Sequence, residues 1–174
     1  MSTSQAVINA YWKPSYETLY DAYYQELASE ALIGRWQFIH ILIAFLVAAT
    51  SSGSAIAGWA LWSERGWKTI WAIIAAIASL ASIAHGVVGV PSRVREQEEV
   101  RQLFCRLRID VETFRHLLRI GITMSEAQSK YDELRNRYSE CVGRTRPDIA
   151  FTIRLRKRVQ DRLNQILKDR RVIK

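Results

Sequence analysis

Two long stretches without charge constrain this chain more than anything else in it. No Asp, Glu, Lys or Arg occurs between Arg35 and Glu64, which leaves 28 residues, or between Lys68 and Arg93, which leaves 24. A hydrocarbon core about 30 Å thick is crossed by roughly 20 mostly apolar helical residues. Residues 36–62 and 69–90 are therefore expected to form two transmembrane helices. Their ten and nine Leu, Ile, Val or Phe residues favour insertion over the interspersed Gly, Ser and Thr. Trp36, Trp59, Trp62, Trp67 and Trp71 fall near the ends of the runs, where indole rings prefer the headgroup level. Only residues 63–68 connect the two, too few for a fold of their own, so the helices are expected as an antiparallel hairpin.

Charge orients that hairpin. Residues 93–174 hold 21 Lys and Arg against 12 Asp and Glu, residues 1–35 hold two against four, and the connection offers only Arg65 and Lys68 as basic groups. Arg93, Arg95, Arg101, Arg106 and Arg108 follow the second run closely, so the positive-inside rule predicts both termini in the cytoplasm. The expected fold is all-α: a lead-in and amphipathic helix over 1–35, a two-span transmembrane helical hairpin over 36–92, and a cytoplasmic helical bundle over 93–174. The first run begins too late and is too long for a cleaved signal, so both spans are expected to be retained. Cys105 and Cys141 have neither disulfide-framework nor metal-ligand spacing.

Periodicity fills in the helices. Residues 1–14 read as irregular, because Lys13 precedes Pro14, and Ser15 then reads as an N-cap. Tyr16, Tyr20, Tyr23, Leu27 and Ala31 follow at helical spacing. After Pro91, the residues Val100, Phe104, Leu107, Val111, Phe114 and Leu118 alternate at intervals of four and three, the pattern of a seam for another helix, here read as the oligomer seam. Gly121 ends that helix, and Thr123 with Glu126 has the capping-box form ahead of a stripe of Ala127, Tyr131, Leu134 and Tyr138. Residues 143–147 break the chain again. Asp148 is expected to cap a last helix with Phe151, Leu155, Val159, Leu163 and Leu167 on one face.

Catalytic chemistry has little to work with. His40, His85 and His116 have no Cys, Asp or Glu at metal or triad spacing, and the sequence holds no glycine-rich phosphate loop and no Gly-x-Ser-x-Gly elbow. No catalytic, cofactor-binding or metal-binding residue is assigned, no cofactor is expected, and the chain does not read as an enzyme. The polar features inside the runs are more informative. Thr50, Ser51, Ser52, Gly53 and Ser54 sit near the middle of the first run. In the second, Ala78, Ser82 and Gly86 recur every four residues, with Ser79 beside them, a spacing that lets helix backbones approach closely. These residues read either as packing within a hairpin and an oligomer or as a hydroxyl-lined path through one. Gly89 and Pro91 read either as an exit kink or as a hinge. Nine basic residues crowd the last 21 positions, from Arg154 to Lys174. No aromatic residue is interleaved to stack bases, so a solvated or lipid-facing surface is expected there rather than direct nucleic-acid binding.

A Tyr-rich amphipathic helix, two apolar runs with a six-residue connection, and a tail containing Gly121-Ile122-Thr123-Met124-Ser125-Glu126-Ala127 together resemble the SLATT family. These are the SMODS and SLOG-associating two-transmembrane effector domains of prokaryotic conflict systems. The resemblance implies a membrane effector of anti-phage defence that forms a homo-oligomer, opens or gates a pore, and kills or arrests the infected cell. It also implies a genomically linked signalling partner: a nucleotide-messenger synthase, a nucleotide sensor or a reverse transcriptase. The alternative expectation is a non-conducting membrane anchor or scaffold that recruits a cytoplasmic partner.

Overall fold

The computed structural model describes residues 3–51, 69, 73, 76, 77, 79, 80 and 89–172. Four helices are defined among them: α1 (Thr3–Ser51), α2 (Val90–Ile120), α3 (Met124–Arg144) and α4 (Ile153–Val172). No strand occurs among the described residues, so the all-α expectation holds. The contacts divide the chain into two units, one of Met1–Leu32 with Glu96–Lys174 and one of Ile33–Arg95.

The first unit is built on the α2 stripe. Val100, Phe104, Leu107, Val111, Phe114 and Leu118 are all at most 5 % exposed. They cluster with Leu19, Ala22, Tyr23 and Leu27 of α1, Ala127, Leu134 and Cys141 of α3, and Val159 and Leu163 of α4. Fully burying side chains of this size stabilises by about 1.5–3 kcal/mol each, so this row is the main source of cohesion. It is also a correction, because the seam expected to join copies of the chain is filled by the chain's own helices. A period of seven says that a stripe needs a helix against it, and says nothing of whose helix that is. An aromatic cluster ties three helices together: Tyr11 meets Phe114 edge-on at 6.3 Å, and Tyr131 lies 5.3 Å from Tyr11 and 6.1 Å from Phe114.

The expected irregular lead-in is overturned. α1 begins at Thr3 and runs through Pro14, although an internal proline removes one helix hydrogen bond and crowds the preceding turn. The turn is braced from outside. Arg115 of α2 donates from Nη1 to the Trp12 carbonyl at 2.9 Å and to Ser15 Oγ at 3.1 Å, while its guanidinium stacks 3.8 Å from the Trp12 ring centroid. Ser15, fully buried, donates to the same carbonyl at 3.0 Å. Burial and the neighbouring Arg119 charge together press the Arg115 pKa below its ordinary value. Ser15 is thus a link inside a continuous helix and not its N-cap.

A second polar clasp joins α1 to α2. Arg108 donates to Glu26 at 2.7 Å and to Glu112 at 3.4 Å, and Tyr23 donates its hydroxyl to Glu112 at 2.8 Å. Burial works against the Arg108 charge, but the hydrogen bond and field of Glu26 outweigh it and hold the pKa above the ordinary guanidinium value.

Turn chemistry agrees with the sequence at one junction and not at the next. Gly121 stops α2 with φ 99°, a left-handed conformation natural to glycine. Thr123 then accepts from the Glu126 N–H, and Glu126 accepts from the Thr123 N–H, completing the capping box. Asp148 does not cap α4. Its Oδ1 accepts from the Ala150 N–H at 2.8 Å and its carbonyl from Phe151 at 3.0 Å, so it closes a turn, and α4 starts five residues later at Ile153.

The second unit carries the largest correction. Among the described residues, no helix is long and apolar enough to cross a membrane. That overturns the two-span hairpin, and with it the integral inner-membrane placement that rested on those spans. Of the second expected span, Thr69, Ile73, Ala76, Ile77, Ser79 and Leu80 are described, each helical and exposed. The remaining residues of 52–88 lie outside the described set.

Candidate functional site

Two features of the described residues offer chemistry: a cleft in the first unit and an apolar helix surface in the second. The cleft has a volume of about 600 Å³ and is lined by residues from α1 (Tyr24, Gln25, Ala28, Ser29, Leu32), α2 (Gln97) and the α3–α4 region (Val142, Thr145, Arg146, Pro147, Asp148, Phe151, Arg156). Each wall follows from local sequence. α3 ends where Thr145 donates its N–H to the Val142 carbonyl and its hydroxyl to Cys141 at 3.1 Å. Pro147 and the Asp148 turn then hold the connection away from helix until Thr152, whose carbonyl accepts from Arg156 at 2.9 Å.

The polar groups of this cleft are unevenly matched. Ser29 is 3 % exposed, and among the described residues its hydroxyl has no hydrogen-bond partner. Gln97 is 7 % exposed; its amide donates to Asp148 Oδ2 at 3.4 Å, while its carbonyl oxygen has no partner among the described residues. Burying such groups unmatched costs about 1–3 kcal/mol each. Arg156 stands 5.7 Å from the Phe151 ring centroid, and Arg146 pairs with Glu96 at 3.5 Å. Burial raises the Tyr24 pKa, and the positive charge of Arg156 partly counters it. Cys141, buried beside Glu140, has a raised thiol pKa, the opposite of a reactive thiolate.

No family model, curated protein or solved structure matches the chain.

The apolar surface lies on α1 beyond Ile33. Phe38, Ile41, Leu42 and Phe45 are 67 %, 65 %, 48 % and 69 % exposed, and their spacing of three, one and three residues puts them on one helix face. Gln37 just before them, and His40 and Ala44 between them, are exposed as well. Ile73, Ile77 and Leu80 are likewise exposed at helical spacing. A helix that is apolar over most of its surface is ordinarily covered, and seven large apolar side chains exposed in one unit mark an interaction surface.

The residues singled out from sequence fare differently. Thr50 and Ser51 close the described part of α1. Ser52, Gly53, Ser54, Ser82 and Gly86 lie outside the described residues, and Ser79 is helical and exposed. Gly89 adopts φ 59° just before α2, its carbonyl accepting from the N–H groups of Ser92 and Arg93 and from the Ser92 hydroxyl. Pro91 is the second residue of α2, in the first turn, where a missing N–H costs no helix hydrogen bond. The pair therefore forms a helix start. Sequence reasoning missed the cleft altogether. Its walls come from 24–32, 97 and 142–156 in the chain, and no local pattern announces that they meet.

Proposed function

We propose that the chain is an effector that binds a lipid bilayer through the exposed face of Phe38, Ile41, Leu42 and Phe45 and, as several copies together, permeabilises it. The single observation that carries this reading is that face, four large apolar side chains on one side of α1, about half to two-thirds exposed. At about 25 cal/mol per Å² of apolar surface removed from water, covering it is strongly favourable. Contact is by a helix lying against lipid, with no span required. The net charge of +8 favours an anionic surface. The resemblance to SLATT effectors supplies the setting, a prokaryotic defence response triggered by a linked signalling protein.

Dye release from vesicles of phosphatidylethanolamine and phosphatidylglycerol tests this. The full chain should release dye, and a variant with Phe38, Ile41, Leu42 and Phe45 all changed to Ser should not, with an unchanged unfolding transition. Binding to vesicles without release would favour a non-conducting scaffold. Absence of any vesicle binding would end the proposal.

A further inference from the structure

The cleft of the first unit presents a combination that its own chain does not complete. Ser29 and Gln97 line it while more than nine-tenths buried, and each has a polar atom without a partner among the described residues. Buried polar groups are nearly always paired, so these two mark where a partner sits. The first turn of α4, Ile153 to Arg156, holds Arg154 and Arg156 and no acidic residue. That is the reverse of what a helix dipole prefers at its positive end, and an anion there offsets it. Arg156 has no carboxylate partner among the described residues, and Arg146 beside it is 76 % exposed on its salt bridge. Ala28, Leu32, Val142 and Phe151 supply the apolar part of the lining, Arg156 overlies the Phe151 ring, and the Asp148 carboxylate in the same lining is engaged by the Gln97 amide and the Ala150 N–H. A volume of about 600 Å³ falls within the usual range for small-molecule sites.

We infer that this cleft is a binding site for a small organic anion with a flat apolar body, of the arylcarboxylate type. The carboxylate accepts from the Arg156 guanidinium at the α4 N-terminus. The ring packs between Leu32 and Phe151, and polar substituents at its inner edge accept from Ser29 Oγ and donate to Gln97 Oε1. The inference does not depend on lipid contact, because every residue in it belongs to the first unit.

Isothermal titration of the full chain with 1-naphthoate, without lipid, tests the site, alongside neutral 1-naphthamide, which keeps the ring and removes the charge. Saturable one-to-one binding of naphthoate is expected. Arg156→Gln should weaken it about tenfold, the scale of one charge-assisted hydrogen bond, and naphthamide should bind wild type weaker by a similar factor. Ser29→Leu should abolish binding by filling the cleft. Because a leucine there could disturb α1, the exposed Arg156 variant is the deciding one. The fourfold Ser variant at positions 38–45 should bind naphthoate like wild type, which separates failure here from failure of the lipid reading. No binding by wild type, equal binding by Arg156→Gln, or equal affinity for naphthamide would each overturn the assignment.

Discussion

Residues 3–32 and 33–51 of α1 belong to one helix and contain comparable numbers of large apolar side chains, yet they meet opposite fates. In the earlier part, apolar residues are interrupted by Glu17, Asp21, Glu26 and Glu30, and Leu19, Tyr23 and Leu27 are at most 9 % exposed. In the later part no acidic residue intervenes, and Phe38, Ile41 and Phe45 are about two-thirds exposed. Polar interruption is what gives a helix a single inner face that its own chain can cover. The later part buries Trp36, 5 % exposed, and leaves the face of Phe38, Ile41, Leu42 and Phe45 bare.

Paired truncations test that contrast most severely. Phe104→Ala, which empties a fully buried position against the first part of α1, should cost about 3–5 kcal/mol. Phe45→Ala should change stability by about 0.5 kcal/mol or less. Urea unfolding followed by circular dichroism would show both, and equal losses would mean that the chain covers its own α1 surface after all.

A gain is expected at Pro14. Since α1 continues through it, Pro14→Ala restores a hydrogen bond and should raise stability by about 1–3 kcal/mol, read in the same titration. A loss would show that the Arg115 brace depends on the proline. Next comes the clasp on the covered part of the helix. Glu26→Gln leaves the half-buried Arg108 with Glu112 as its carboxylate partner, at a cost of about 1–3 kcal/mol; no loss would mean that apolar burial alone seats α1.

The smallest effect concerns the capping box, remote from the contrast and a control for it. Thr123→Ala should cost about 1 kcal/mol. The Thr123 side-chain and backbone hydrogen bonds lower the Glu126 pKa. A carboxylate whose folded pKa is depressed contributes stability above its unfolded pKa and loses it as pH falls through the folded value. The Thr123→Ala penalty should therefore shrink in acid below the ordinary glutamate range. A penalty independent of pH would place Glu126 outside the cap.

These particulars also show what the sequence makes legible. The Thr123–Glu126 box, the Gly121 stop and the α2 stripe were readable because each is a local rule satisfied within a few residues. Pro14 was misread because the propensity against an internal proline is local, whereas Arg115, which braces the turn, sits 101 residues further along. The α2 stripe was readable as a seam, but its occupant was not, since periodicity carries no address. Asp148 has the right chemistry for an N-cap and spends it on a turn. The uncharged run after Arg35 was read as a span, since charge-free length alone cannot tell a helix crossing lipid from one lying against an apolar partner. The Ser29–Gln97 cleft had no sequence signal at all.

The central claim, that the later surface of α1 is covered by lipid, is tested most directly by an environment-sensitive fluorophore at position 45. The label would go on Phe45→Cys in a chain with Cys105 and Cys141 changed to alanine, titrated with vesicles containing phosphatidylglycerol. The account predicts a blue-shifted, brighter emission that saturates with lipid, while the same label at exposed Lys130 stays unchanged. Emission at position 45 that is already blue-shifted without lipid, or that does not move with it, would contradict the account.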